Sequence, residues 1–357
     1  MTTRNLARLA EEAFERRGDY PAMRFEGRWY GSAELFSRAG RIASGLRGLG
    51  IAPGERVVVC MVNCPEVSIV YQAVWRAGAV VTPATFLLSV EDLRHVIADS
   101  RASAVITTAD LEGKVREAVA GLHHVRNVIA DGSEDFDALA EAGPAPIVRR
   151  GDNDLAALLY TGGTTGRAKG VMLSHANLSF TGWAVQEASH VPGVSRSLMT
   201  LPLSHSYGML VTISGLHSPE RPVTVLLRWF HPHVFLELIQ EHRLQASAVV
   251  PSMIQLLLAE PLEAFDLASL KYLGGGAAPL APQTAAEIER RIPSMKIRQG
   301  YGLTETAALI STNPVGREKP GSVGVPIPGA VVTVRDARRT VRWRRARRAR
   351  SACARRQ

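Results

Sequence analysis

Short apolar runs of strand length alternate with segments of helical periodicity along most of this chain. Arg56–Asn63 has the length and valine content of a buried strand. In Pro65–Ala77 the apolar residues recur three and four positions apart, which predicts a helix with proline in its first turn. Ala79–Thr82 is again strand-like, and Ser89 begins a capping-box-like sequence for a helix that ends at Asp99.

The same alternation continues to residue 299, and a helix is predicted near His231–His242. Because strands joined by helices form parallel sheets, the pattern predicts an α/β fold of layered, largely parallel sheets flanked by helices. We expect two sheet-containing subdomains that meet between residues 160 and 205. The remaining predicted strands are Ala102–Thr107, Val125–Ala130, Leu198–Leu203, Val223–Leu227, Ala246–Val250, Leu270–Leu273 and Lys296–Gln299.

A loop of threonine and glycine follows the apolar run Leu155–Tyr160 and ends near a lysine, with a helix-like sequence soon after. Glycine has no Cβ, so its backbone N–H groups can approach phosphate oxygens, while hydroxyls donate hydrogen bonds and lysine adds positive charge. The segment is not a Walker A motif, because Gly170 stands where that motif needs Ser or Thr. A solvated surface turn is the alternative, but two Thr-Gly pairs, a lysine and a preceding strand favour phosphate binding. The candidate phosphate-binding residues are Thr161, Gly162, Gly163, Thr164, Thr165, Gly166 and Lys169.

Two further segments place glycine beside side chains that suit a nucleotide. In Gly300–Glu305, Tyr301 lies between glycines and can stack on a flat base, and Glu305 offers oxygen ligands that suit Mg²⁺. Gly274–Ala278 would form a glycine-lined wall beside a flat ligand. It is not a dinucleotide fingerprint, because Pro279 stands where glycine is required.

His205 lies at the end of the predicted strand Leu198–Leu203, within the sequence LPLSHSYGM. A lone histidine is more often structural than catalytic. By itself, the sequence around His205 therefore favours a structural role for this histidine.

In this order the segments resemble the acyl-adenylate-forming superfamily, which includes acyl-CoA synthetases, luciferases and the adenylation domains of peptide synthetases. Tyr160–Val171 is similar to its phosphate-loop signature, with Gly162 where serine is commonest and Ala168 where proline is commonest. Gly300–Glu305 and Gly321–Gly329 are similar to later motifs. The resemblance extends over about residues 10–334.

The resemblance implies a role for each matching residue. Lys169, His205 and Glu305 would be catalytic, with Glu305 the Mg²⁺ ligand. The acyl pocket would be formed by His205, Tyr207, Gly208, Met209 and Gly276. The nucleotide would contact the seven phosphate-binding residues given above together with Gly274, Gly275, Gly276, Ala277, Tyr301, Gly302 and Thr304.

The implied reaction has two steps and uses ATP, Mg²⁺ and coenzyme A as substrate or cofactor. A small-molecule carboxylic acid attacks the α-phosphate of ATP and forms acyl-AMP and pyrophosphate. The thiol of coenzyme A, or of a carrier protein, then attacks the acyl carbon. Members of the superfamily continue into a ribose-binding aspartate and a small mobile C-terminal domain that carries a catalytic lysine.

The last lysine of this chain is Lys319, so we expect the small C-terminal domain and its lysine to be absent. The leading hypothesis is therefore a truncated acyl-CoA synthetase with impaired activity. The alternative is a non-catalytic pseudoenzyme or fragment that binds nucleotide or acid and needs a separate C-terminal domain. Loss of one positioned charge-stabilising contact costs on the order of a hundredfold in rate.

The net charge of +9 comes from the C-terminal end of the chain. Residues 335–357 contain 11 arginines and a single acid, which leaves 31 basic and 32 acidic residues in the rest. This composition favours an out-of-frame reading of GC-rich coding sequence over a disordered tail or a nucleic-acid-binding arm. Ala330–Arg335 is predicted to be a strand that lacks its continuation. We divide the chain into a large domain over 1–334 and an arginine-rich tail over 335–357, and expect no nucleic-acid partner.

Three cysteines are too few for a disulfide framework, and Cys60 and Cys64 are predicted to be core or near-core thiols. The N-terminus has acids and no long apolar stretch, so no secretory signal is predicted. No apolar run approaches the roughly 20 residues that span a bilayer. We expect a cytoplasmic protein without a membrane partner.

Overall fold

The computed structural model describes residues 5–163 and 166–333, and the backbone of residues 335–336 and 339–342. The helices are α1 (Leu6–Arg17), α2 (Ser32–Gly48), α3 (Pro65–Arg76), α4 (Val90–Ser100), α5 (Glu112–Val119), α6 (Glu134–Glu141), α7 (His175–Ser189), α8 (Ser206–His217), α9 (Pro232–His242), α10 (Pro251–Leu258) and α11 (Pro282–Arg291). The strands are β1 (Pro21–Phe25), β2 (Arg28–Gly31), β3 (Arg56–Cys60), β4 (Val80–Pro83), β5 (Ala104–Thr107), β6 (Asn127–Ala130), β7 (Leu155–Gly163), β8 (Gly166–Ser174), β9 (Arg196–Met199), β10 (Val223–Leu226), β11 (Ala246–Val249), β12 (Tyr272–Gly275), β13 (Lys296–Tyr301), β14 (Ser311–Thr312), β15 (Val325–Pro326), β16 (Arg335–Asp336) and β17 (Arg339–Arg342).

Two large sheets carry the fold. One has six strands in the order β6-β5-β3-β4-β7-β8, and the other has nine in the order β15-β14-β13-β12-β11-β9-β10-β1-β2. Within the first, only β8 runs antiparallel to its neighbour. In the second, the six strands from β13 to β1 are parallel, and β2, β14 and β15 are antiparallel additions at the edges. The predicted α/β fold with largely parallel sheets and flanking helices is confirmed.

Most predicted elements exist, but several end earlier than predicted. β3 ends at Cys60, and the predicted strand Leu198–Leu203 is strand only as far as Met199. The reason lies in Asn63, whose Nδ2 donates to Leu201 O at 2.9 Å and whose Oδ1 accepts from Leu203 N at 2.9 Å. The segments after β3 and after β9 both leave their sheets to make this contact, which links the two sheets.

The N-terminal part of the chain crosses between the sheets. β1 and β2 join the nine-stranded sheet next to β10, although β3 to β8 all belong to the six-stranded sheet. The chain returns to the nine-stranded sheet at β9, after α7. The expected meeting of two subdomains between residues 160 and 205 includes the return at β9, but the sequence pattern did not predict the crossing between β2 and β3. The domain division at residue 334 stays a prediction.

Valines and isoleucines of the central strands are buried on both faces of the six-stranded sheet, as in other parallel sheets covered by helices. Polar groups in this core are paired: the Trp75 indole donates to Ala156 O at 2.9 Å and the Tyr71 hydroxyl to Leu203 O at 3.1 Å. Cys60 and Cys64 are buried free thiols, as predicted. Among the described helices, none has both the length and the apolarity needed to cross a bilayer.

At the C-terminal end the structure departs from the prediction. Residues 330–333 form no strand, so the predicted strand Ala330–Arg335 is wrong over that part. β16 and β17 pair with each other in an antiparallel two-stranded sheet inside the arginine-rich segment. The rest of the predicted tail, including Cys353, lies outside the described residues.

His175 links α1 to the start of α7, and its burial predicts an acid-sensitive fold. Its Nδ1 accepts from Leu6 N at 3.2 Å, and the side chain is fully buried. Burial, with a further contribution from Arg150, lowers the pKa of His175 to about 4. The unfolded chain therefore binds a proton that the folded chain does not, and stability falls as the pH drops from about 6.5 to 4, by roughly 3 kcal/mol. Urea unfolding of wild type and of His175→Asn at pH 7 and pH 5 tests this prediction. Wild type should lose more stability than His175→Asn between pH 7 and pH 5, and an equal loss of stability in the two proteins would contradict it.

Asp131 predicts the opposite pH dependence. Its carboxylate, Glu66 and the Cys64 thiol have ligand atoms within 4.8 Å of one another, and Arg38 neutralises Glu66 at 3.0 Å. Burial, with repulsion from Glu66, raises the pKa of Asp131 to about 6. A raised folded pKa stabilises the fold at low pH, and this contribution is lost as the pH rises through 6. Asp131→Asn should therefore stabilise the chain by roughly 2 kcal/mol at pH 8 and by little at pH 4, measured by urea unfolding. A gain that is equal at both pH values would count against it.

Candidate functional site

The predicted phosphate loop is largely an antiparallel hairpin of β7 and β8. Pairing runs from Leu155 opposite Ser174 to Thr161 opposite Lys169, and Gly163 lies opposite Gly166. The sequence interpretation of a long loop is therefore wrong for most of this segment, although the predicted strand before it and helix after it are both present. Thr164 and Thr165, at the turn, lie outside the described residues.

Helix α4 holds the base of this hairpin. The Tyr160 hydroxyl donates to Asp99 Oδ2 at 2.6 Å, and His95 Nε2 lies 2.9 Å from Ala168 O. Burial, together with the Asp99 carboxylate, raises the pKa of Tyr160, which keeps its hydroxyl protonated and donating. Sequence reasoning missed both residues of α4. The available signal is that His95 and Asp99 are four positions apart and so share one helix face.

The side chain of Lys169 is exposed on β8 and makes no hydrogen bond or ion pair with any residue that the structure describes. Its backbone is fixed by the pairing with Thr161. An ammonium group held on an ordered strand without a protein carboxylate is available to an anionic ligand.

The segment with Tyr301 and Glu305 lies against the hairpin. β13 extends to Tyr301, two residues beyond the predicted strand, because β14 pairs with its end. Thr304–Thr306 then forms one turn of 3₁₀ helix that packs against β8. Glu305 is exposed, and its carboxylate has no partner among the described residues. An unpaired carboxylate fits the predicted role of a Mg²⁺ ligand.

Backbone strain marks the same segment. Ala307 and Ala308 have φ of 54° and 86°, in the left-handed region that favours glycine. The Ala308 carbonyl lies against Gly302, where a Cβ would lie 1.6 Å from Ala308 O. Only glycine fits at 302, and the strained turn positions Thr304 and Glu305.

The predicted glycine wall lies under a tyrosine ring. The predicted strand Leu270–Leu273 would place Gly274 and Gly275 after the strand, but both are the last residues of β12. The Tyr207 hydroxyl donates to Gly274 O at 3.0 Å. A Cβ on Gly276 would lie 3.1 Å from the Tyr207 ring, so glycine permits the close contact. Ala277 adopts a left-handed φ of 69°.

His205 caps helix α8 and does not end a strand as predicted, because the chain leaves the sheet at Met199. Its Nδ1 accepts from Tyr207 N at 3.2 Å. The imidazole reaches solvent, but the surrounding protein lowers its pKa and favours the neutral ring. At Gly208 a Cβ would lie 2.2 Å from Pro202 O, so the start of α8 packs closely on the preceding segment.

A cavity of about 210 Å³ separates one face of the nine-stranded sheet from α7 and α8. Its floor is open because small residues occupy this face on five neighbouring strands. The opposite face carries Leu198, Val249 and Ile297 in a tightly packed core. The small residues of the floor are Thr224, Ser197, Ala246, Ala248, Gly274 and Gly300.

Tyr207 and Gly274 connect this cavity to the predicted site, since both line it. Met209 does not line it: its side chain is 1% exposed and packs in the core. Its place in the acyl pocket stays a prediction. His205, Gly208 and Gly276 also lie outside the cavity lining. The structure thus brings together the hairpin, the Glu305 turn and the glycine wall, with the cavity behind Tyr207.

Comparisons with known proteins identify the family of this chain. A family model described as AMP-binding enzyme matches residues 10–344. The feruloyl-CoA synthase of Amycolatopsis sp is 34% identical over 298 residues, which are 82% of this chain and 58% of that protein. The 4-coumarate–CoA ligase 1 of Petroselinum crispum is 33% identical over 296 residues, which are 79% of this chain and 53% of that protein.

The fold comparison gives the same result. The structure of ATP-bound MatB from Rhodopseudomonas palustris aligns with a TM-score of 0.85 and 29% identity, over 96% of this chain and 68% of that one. The chain spans 58% and 53% of the length of the two curated relatives described above. Since the family model covers nearly all of the described residues, this chain belongs to the AMP-binding enzyme family.

Proposed function

We propose that this chain binds Mg·ATP and a carboxylic acid and activates the acid as acyl-AMP, for transfer to the thiol of coenzyme A or of a carrier protein. One observation carries the proposal. Lys169 on the hairpin and Glu305 on the turn that packs against β8 both lack a side-chain partner among the described residues. The glycine wall lies on the strand next to β13, and its Gly274 lines the cavity together with Tyr207. A cation, a metal-binding carboxylate and a pocket are the parts that acid activation by a nucleotide requires.

Each residue has a distinct part in this scheme. Lys169, Thr161 and the hairpin glycines would hold the triphosphate, and Thr304 would add a hydroxyl contact. Glu305 would hold Mg²⁺, which offsets the negative charge of the phosphates. Tyr301 would lie against the adenine, opposite the backbone of Gly274–Ala277. His205, neutral at physiological pH because its pKa is lowered, would sit where the acid carboxylate approaches the α-phosphate.

The acid is proposed to be a small aromatic or apolar carboxylic acid. Relatives named for feruloyl-CoA and 4-coumarate–CoA support an aromatic acid. A cavity of 150 Å³ accommodates benzene, and the cavity of 210 Å³ has room for one substituted ring but not for a long acyl chain. We place the reaction in the cytoplasm.

Exchange of labelled pyrophosphate into ATP, measured with a panel of aromatic and fatty acids, tests this function. Exchange that depends on both acid and Mg²⁺ is the expected result, and Glu305→Gln should reduce it by about a hundredfold while leaving the fold intact. The matched control is Glu117→Gln, since Glu117 is an exposed glutamate of α5 whose carboxylate has no partner among the described residues. Acid-independent exchange, or equal exchange in both variants, would overturn the proposal.

A second candidate is a nucleotide- or acid-binding chain that acts together with a separate C-terminal domain. Exposed valines at the end of the described chain favour it: Val325, Val331 and Val332 are 53%, 85% and 50% exposed. Such apolar surface is typical of an interface. Thioester formation that appears only when the C-terminal domain of a relative is added in trans would support this candidate, and its absence would exclude it.

A further inference from the structure

The cavity behind Tyr207 is polar on its helical side, which bears on the kind of acid it holds. Gln186 of α7 and Ser214 of α8 both line it, and Ser214 is 8% exposed. Their contacts are weak: Ser214 Oγ lies 3.5 Å from Gln186 Oε1, and Gln186 Nε2 lies 3.5 Å from His190 Nδ1. The Ser214 hydroxyl is buried and the Gln186 amide is half-buried. Groups with such long contacts gain free energy when a ligand completes their hydrogen bonds.

These groups lie deep in the cavity relative to the predicted reaction site. Ser214 follows Tyr207 by seven residues on α8, which places it on the same helix face about 10 Å further along the axis. Tyr207 marks the end of the cavity next to the glycine wall. A ligand whose carboxylate lies near Tyr207 would therefore present its opposite end to Gln186 and Ser214.

Neither of the two described arginines that line the cavity is free to bind a second carboxylate at that depth. Arg298 lines it, but its Nε lies 3.2 Å from Glu318 Oε1 and its guanidinium stacks 4.3 Å from the Tyr272 ring centre. Arg196 also lines it, and its Nε donates to His242 O at 3.0 Å where the residue borders a separate surface depression. A neutral hydrogen-bonding group therefore fits better than an anion.

Resting on the proposed function, we infer that Gln186 and Ser214 are specificity-determining residues that recognise a neutral hydrogen-bonding group at the end of the acid remote from its carboxylate. A ring hydroxyl is the simplest such group. The same acid without the hydroxyl would leave the amide and the serine incompletely paired and would bind less tightly.

Equilibrium binding tests the inference without requiring turnover. Affinities of 4-hydroxycinnamate, cinnamate and 4-carboxycinnamate are measured by calorimetry with the full chain, saturated with a non-hydrolysable ATP analogue and Mg²⁺. The hydroxylated acid should bind about tenfold more tightly than cinnamate. Gln186→Leu and Ser214→Ala should bring that ratio close to one, whereas Val211→Ala, in the apolar lining, should keep it.

Each outcome decides a separate point. Equal binding of the first two acids by wild type overturns this inference, even if a variant fails to fold, and so does an unchanged ratio in both polar variants. Preference for 4-carboxycinnamate overturns it in favour of an arginine anchor. If none of the acids binds while the ATP analogue does, the proposed activation of such acids fails as well.

Discussion

Replacing Gly302 by alanine is expected to destabilise the chain by about 3 kcal/mol and to abolish nucleotide binding. The new Cβ would lie 1.6 Å from Ala308 O and 2.6 Å from the Leu309 Cα, and both are backbone atoms that no rotamer change can move. The turn from Leu303 to Ala308 must therefore shift. Because that turn carries Thr304 and Glu305 and packs on β8, the displacement removes the proposed metal ligand from the phosphate hairpin.

Urea unfolding measures the stability loss, and calorimetry with Mg·ATP measures the binding. The matched control is Gly113→Ala, where a Cβ meets nothing within 4 Å on the exposed side of α5. Alanine is favoured over glycine inside a helix, so the control should gain roughly 0.5–1 kcal/mol and bind nucleotide normally. Normal stability and nucleotide affinity in Gly302→Ala would show that the turn does not organise the site.

The parts of the fold that the sequence predicted are those whose residues repeat a single local pattern. β3, α3, β4 and α4 are continuous apolar or helix-period runs with a proline or serine at the helix start, and Ser89 Oγ does accept from Asp92 N. β1 and β2 lack such a pattern. Their place is set by β10, some 200 residues later in the chain, and a partner at that separation leaves no local trace.

In the candidate site, too, the features with a local sequence pattern were predicted and the others were not. Glycines and a lysine identify its motifs, but the hairpin escaped prediction because Gly and Thr pair there through backbone bonds that any sequence can make. The cavity could not be predicted either, because it arises from the absence of large side chains on one face of five strands. Ala248 or Thr224 alone means nothing, and only the parallel register that aligns them leaves the floor empty.

Lys169→Ala is expected to weaken Mg·ATP binding by about tenfold to a hundredfold while leaving the free energy of unfolding within about 0.5 kcal/mol of wild type. The two effects separate because Lys169 has no protein partner among the described residues, so its loss leaves no buried group unpaired. The substitution removes a charge-assisted contact to phosphate, so both the binding of Mg·ATP and any acyl transfer that depends on it should be weakened.

Calorimetry with Mg·ATP and urea unfolding of the same preparations give both numbers. Lys271→Ala is the matched control, since it removes the same charge from an exposed lysine at the start of β12, at the opposite end of that strand from Gly275. Lys169→Arg should recover part of the affinity, because a cation remains on β8. If Lys169→Ala and Lys271→Ala bind Mg·ATP as wild type does, the triphosphate does not lie on this hairpin. A different cation must then hold it, and Arg298 of the cavity lining is already committed to Glu318.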